Sequence, residues 1–230
     1  MNSTHLDTTA LRLTVWLNAW QSNHISAFDA ANACESITSS LDVLIQDARH
    51  PWIDLLAQYG PSSSPFRVAM PTPGNPDGIP REVSQMFNSI LGLIVMENRV
   101  VIGQGTDHTW RATDVQLAPV FYDFQHARTN LMQTLTDAQE TLSHLDLVGS
   151  RVTADSVLKE LSFGHLPPTT PQRMVDTLEQ ALRIATLARI ARDDSIAMSS
   201  RSQDHERSKI LIDLERQAQH LLQAAASSAQ

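Results

Sequence analysis

The chain has 230 residues, 42% hydrophobic and 18% charged, with a formal net charge of −8; this excludes wholesale disorder and leaves ample material for a core. The acidic balance argues against nucleic acid as a partner, since neutralising phosphates takes cations. One cysteine, Cys34, rules out an intramolecular disulfide and favours a reducing, cytoplasmic compartment.

The opening MNSTHLDTTALRLTVWL has no basic start and no long apolar run, so no signal peptide is read. No membrane is expected either, because no stretch approaches the ~18 apolar residues of a span. Leu6, Ala10, Leu13, Trp16, Leu17 and Trp20 fall at helical spacing, and Asp7 is placed to cap a helix ending near Gln21. Ser26 and Asp29 form a capping-box pattern for a second helix carrying Ala30, Cys34 and Ile37 on one face. The run Leu41 to Ile45 fits strand or helix, and periodicity does not choose. Trp52, Leu55 and Leu56 predict a short helix ending at Gly60.

Phe66 to Met70 reads as a strand. The segment Pro71 to Pro80 that follows holds four prolines and two glycines, which excludes helix and central strand. Arg81 to Leu91 reads as a helix with Val83, Met86, Phe87 and Ile90 on one side. Leu93 to Met96 and Arg99 to Ile102 flank Glu97-Asn98 as a hairpin, and His108 to Ala112 adds a strand. From Leu117 the spacing of Phe121, Phe124, Leu131, Leu135, Ala138, Leu142 and Leu145 predicts one long amphipathic helix with Pro119 in its first turn. Thr153 is placed to cap a short helix reaching Leu161. Thr170-Pro171 opens another helix, and Ile210 to Ala225 carries the last stripe, with residues from Ala226 onward expected to fray.

The predicted class is α+β, predominantly helical. A small antiparallel or mixed β element at about 66–112 precedes an antiparallel helical bundle with short connections. No flexible linker marks the seam between 107 and 117, so residues 1–230 are read as one integrated domain with sub-parts 1–112 and 113–230. Arg173 to Arg216 carries eight positive and eight negative side chains, which reads as a solvated helix face.

No catalytic residue is singled out. The nine histidines form neither HExxH nor a Cys/His zinc spacing, so no metal and no cofactor are expected. Asp123 with His126 and Glu140 with His144 have ligand-compatible spacing, but the two histidines lie about 27 Å apart along a helix. Cys34 sits on an apolar stripe and reads as structural. All four tryptophans read first as core.

The candidate ligand or partner loop comprises Pro73, Gly74, Asn75, Asp77, Gly78 and Arg81. It lies between a strand and a helix but lacks the phosphate-loop patterns, and its prolines remove backbone donors. Arg81 at a helix start is the anion-binding option. A proline-rich loop is pre-ordered, which suits protein docking.

The stretch FRVAMPTPGNPDGIPREV, then Thr109-Trp110-Arg111-Ala112, then LPPTTPQRMVDTLEQALRIATLA and a final Arg-containing helix, resembles an uncharacterised family of actinobacterial proteins. Fifteen arginines against two lysines suit such a high-GC source. The resemblance implies no activity and supplies no catalytic residues, and Asn75 and Pro76 depart from the family's loop. The leading functional expectation is a non-enzymatic protein-interaction or regulatory module with a protein partner or self-association. The alternative is a small-molecule, nucleotide or anion binder, or an enzyme, using the 71–81 loop.

Overall fold

In a computed structural model of the chain, described at residues 7–59, 64–71, 75–87, 92–143, 161–193 and 201–228, six short strands form one mixed sheet. The strands are β1 (Asp42–Ile45), β2 (Ala48–Pro51), β3 (Arg67–Ala69), β4 (Leu93–Met96), β5 (Val100–Gln104) and β6 (Trp110–Asp114), ordered β2-β1-β6-β5-β4-β3. Only β1 and β6 run parallel. The structure thus resolves Leu41 to Ile45 as strand. It also adds a hairpin that no turn signal announced: Gln46 and Asp47 both take positive φ, as a tight hairpin demands. Glu97 and Asn98 do the same between β4 and β5.

Because side chains alternate across a strand, the sheet has two distinct faces. Val68, Ile94, Met96, Val100, Ile102, Trp110 and Ala112 join the main core. The helices α1 (Thr9–Gln21), α2 (Ala27–Thr38) and α3 (Trp52–Tyr59) contribute to that core, and Trp52 packs edge-on against Trp110. Asp7 Oδ1 accepts from Thr9 N, and the Ser26–Asp29 capping box is formed. The opposite face, with Ala69, Leu93, Val95 and Val101, is covered by Ile79, Val83, Phe87 and Leu117.

That second layer corrects two expectations. The helix predicted over 81–91 is α4, only Arg81–Met86; Phe87 turns to extended backbone and bridges Gly105, burying its ring while Met86 stays exposed. Ile90 lies outside the described residues. The long helix predicted from Leu117 begins seven residues later, as α5 (Phe124–Ser143). Val115 N and Leu117 N bond Arg99 O and Asn98 O instead, tying this stretch to the β4–β5 turn. Asp123 Oδ1 then accepts from His126 N and caps α5. Phe121, expected on the apolar stripe, is 89% exposed.

The other two helices are α6 (Gln172–Asp193) and α7 (Arg201–Ser227). The first residues of α5 and α6 and the end of α7 line one hollow, so α5 and α6 run the same way and α7 runs against both. The expected antiparallel packing thus holds for α7 against both α5 and α6, and the connection from α6 to α7 is short, but 28 residues, 144–171, separate α5 from α6. The Thr153 helix and Leu145 fall in the part outside the described residues. The end of α7 also does not fray at Ala226, which is fully buried. It packs against α1 and β3, and one buried apolar cluster contains residues of α1, the sheet, α5, α6 and α7.

The balanced charges of 173–216 are not all solvated. Glu215, 7% exposed, accepts from Arg189 Nε at 2.9 Å and Arg192 Nη1 at 2.6 Å, and buried Arg207 donates to Ala191 O. Equal numbers of each sign hid a paired internal group among truly exposed ones. Among the described residues no helix is long and apolar enough to cross a membrane.

Candidate functional site

Strand β3 ends the sheet. Its pairing with β4 uses one edge, which leaves the outward backbone groups of alternate residues without a strand partner. Such an edge is a liability unless covered. Here side chains cover it. Asn18 on α1 accepts from Phe66 N at 2.8 Å and donates to Phe66 O at 3.0 Å. Ser227 Oγ, at the end of α7, accepts from Val68 N. The Tyr122 hydroxyl lies 3.2 Å from Val68 O, and Asp77 Oδ2 accepts from Met70 N at 2.8 Å. Asn18 also donates to Ala226 O, fastening α7 to the same edge.

The candidate loop resolves within this frame. Pro73 and Gly74 lie outside the described residues. Asn75 and Arg81 are exposed, and Arg81 opens a helix of only six residues. Asp77 turns inward on a positive φ of 53°. Besides Met70 N, its carboxylate accepts from Tyr122 Oη at 2.7 Å and from Gln223 Nε2 of α7. Gly78 follows at φ 74°, and a Cβ there would sit 2.6 Å from Val120 Cγ2; only glycine meets both demands. The loop residues thus split. Asp77 and Gly78 are built into the sheet edge, while Asn75 and Arg81 face solvent and are not brought to them.

Two groups behind Asp77 have shifted titration. Burial, then the Asp77 charge and its hydrogen bond, push the Tyr122 hydroxyl above the ordinary tyrosine range, against an opposing pull from Arg67. Tyr122 therefore stays a donor. Its ring meets that of His220 edge-on at 5.7 Å. Burial lowers the His220 pKa; Asp77 opposes this and His126 adds to it, so the imidazole is mainly neutral near pH 7.

Arg67 is the residue that sequence reasoning missed. It alternates with Ala69 onto the second face and is 6% exposed. Its Nη1 donates to Asp77 O at a long 3.4 Å, while Nε and Nη2 are buried and donate to nothing. Arg67 lines a cavity of about 200 Å³ together with Glu97, Asn98, Val120, Tyr122 and Ser228. A charged residue inside the apolar run FRVAM was the available signal. Tyr122, Gln223 and Ser227 carried none, because each acts only through the fold.

Other reactive types are placed structurally. Cys34 is fully buried, and desolvation, then Glu35, push its thiol up. A thiol-specific reagent is expected to leave it unmodified in native buffer and to label it stoichiometrically in denaturant; labelling of native protein at the free-thiol rate would contradict this. Among the described residues no three His, Cys, Asp or Glu side chains gather as metal ligands. A larger hollow of about 500 Å³ lies between α1, α2 and the stretch near His165, lined by Arg12, Trp16 and Ile37.

Two family models match the chain: the Rv1486c-like protein N-terminal domain over residues 10–122 and its C-terminal domain over 125–222. They meet at the start of α5, just beyond Tyr122. No curated protein and no solved structure matches. The chain belongs to the Rv1486c-like family, in agreement with the resemblance to an actinobacterial family without known activity.

Proposed function

We propose that this member of the Rv1486c-like family is a non-enzymatic binding module of a regulatory kind. Its binding face is the one where Gly78, residues 120–122 and the end of α7 meet. The observation that carries this reading is the buried, under-bonded Arg67 lining a cavity among side chains already committed to backbone. Asp77 and Tyr122 each spend their polar atoms on the sheet edge and on one another, and Tyr122 is shifted away from physiological titration. Such groups hold a frame and are poorly placed to exchange protons with a substrate. A ligand here touches α7, the sheet edge and the 115–122 stretch at once, so its occupancy is felt by both family-defined parts.

Hydrogen exchange with a panel of nucleotides, phosphorylated metabolites and simple carboxylates tests the reading. Slower exchange over 64–70 and 118–122, with the ligand recovered unchanged, is the expected result. Conversion of the ligand, or protection confined to the hollow beside Arg12, would refute it.

A protein contact on the same face is favoured by one observation, the solvent-facing ring of Phe121 beside Arg67's cavity. Self-association or a stoichiometric partner is then expected and lost in Phe121→Ser. Sedimentation showing a monomer at every concentration, with no partner cross-linked through residue 121, would dispose of it.

A further inference from the structure

We infer that the hollow between α1, α2 and residues 163–168 binds a small monocarboxylate with an apolar body, its charge taken by the tip of Arg12 and its body by Trp16, Ile25 and Ile37. This site is separate from the face proposed above and goes beyond that reading.

Sequence spacing builds the hollow. Arg12 and Trp16 are one turn apart on α1, and Asp29, Ala33 and Ile37 follow at four-residue steps on α2, so each set shares a helix face. The chain near His165 forms the third wall. Phe163 is buried, Trp16 Nε1 donates to His165 O at 3.2 Å, and the rings of Trp16 and His165 stand 5.7 Å apart. Gly164, at φ 81°, lies against the guanidinium; a Cβ there would stand 3.1 Å from both Cζ and Nε of Arg12. That contact holds Arg12 in place without bonding it.

Arg12 has no structural partner. Among the described residues no carboxylate pairs with it and no oxygen accepts from its side chain. Its Nε is buried beside Gly164, but Nη1 and Nη2 keep accessible surface. The tip is therefore what Arg12 offers to the hollow it lines. Two parallel N–H groups there suit the two oxygens of a carboxylate. The helix gives no reason for the cation: Arg12 stands in the first turn of α1, where the dipole disfavours positive charge. Asp29, across on α2, turns Oδ2 to Ser26 N and Oγ instead, and His165 O is taken by Trp16.

The rest of the lining defines the body of the ligand. A volume of about 500 Å³ falls within the usual range for small-molecule sites. Trp16, Ile25, Ala33, Ile37 and Pro168 give an apolar wall. Asp29 adds a negative charge on the α2 side, which disfavours a second anionic group. One carboxylate on an aromatic or branched body meets both conditions.

Calorimetric titration of the full chain with phenylpropionate, hexanoate, phenylpropionamide and acetate tests the inference. Saturable binding of at least one of the two larger acids is expected. The amide is expected to bind at least about tenfold more weakly than its acid, for want of a charge-assisted pair. Acetate, with no apolar body, is expected to show no saturable binding. Arg12→Gln is expected to erase the preference for acid over amide, whereas a merely structural arginine predicts that both weaken alike. Circular dichroism establishes whether the variant is folded. Should it not fold, Ala33→Leu decides: it fills the hollow from α2 without touching the charge, and is expected to weaken acid binding at least about tenfold. No saturable binding of either larger acid, acid and amide bound equally, or affinity unmoved by Ala33→Leu overturns the inference. Hydrogen exchange keeps the two sites apart. Protection by the acid confined to 9–16 and 29–37 supports this inference and refutes the reading of the Gly78 face; protection confined to 64–70 and 118–122 does the reverse.

Discussion

Asp77→Ala is expected to destabilise the protein by about 3–5 kcal/mol, the largest effect of any change in the 75–81 loop. The carboxylate accepts three hydrogen bonds, from Met70 N, Tyr122 and Gln223. Deleting it leaves all three donors without that acceptor in a largely buried place, and each orphan costs about 1–3 kcal/mol. A positive φ at 77 adds roughly 1 kcal/mol for alanine. Asp77→Asn separates these terms. Asparagine tolerates the backbone but keeps only one acceptor oxygen and turns an amide toward a donor, so about half the loss is expected. Urea unfolding gives both values. A loss below about 1 kcal/mol for Asp77→Ala would mean that the loop is a surface feature, not a clasp.

The second large effect lies in the helices. Glu215→Gln is expected to cost about 2–4 kcal/mol. One carboxylate, nearly buried between α6 and α7, answers Arg189 and Arg192 together. Removing its charge leaves two guanidiniums facing each other; breaking buried pairs this way typically costs about 3–5 kcal/mol. The arginines here keep some water, with side chains 18% and 35% exposed, which pulls the figure down. Replacing all three by leucine and methionine is expected to recover most of the loss, because a paired ion group is often worth little more than apolar packing. If the triple replacement is no better than Glu215→Gln, the charges do more than pair.

The fold was legible where local rules suffice. The Ser26–Asp29 box, the strand at 66–70, the β4–β5 hairpin and the Thr170-Pro171 helix start all follow from spacing and capping chemistry. Reading failed where tertiary contacts overrode pattern. Leu117 opens the predicted long helix, yet its amide, like that of Val115, is claimed by the β4–β5 turn. The β1–β2 hairpin turns on Gln46-Asp47, a pair with no strong turn signature.

The site was half legible. Prolines and glycines drew attention to the 71–81 loop, and Asp77 proved to be its working residue, but as a clasp on a sheet edge. Arg81, the cation sequence reasoning offered to an anion, stands in solvent on a short helix. The cation at the site is Arg67, ten residues before Asp77, buried with two nitrogens unbonded. Its role depends on Asp77, Val120, Tyr122 and α7 meeting over it, contacts spread over some 160 residues of chain. No linear motif can encode that.

The most direct measurement is hydrogen exchange of the full chain with and without each ligand of the panel. Slower exchange over 64–70 and 118–122 with at least one ligand, recovered unchanged, is the predicted result. Conversion of a ligand, or no protection of that face by any of them, would contradict the account.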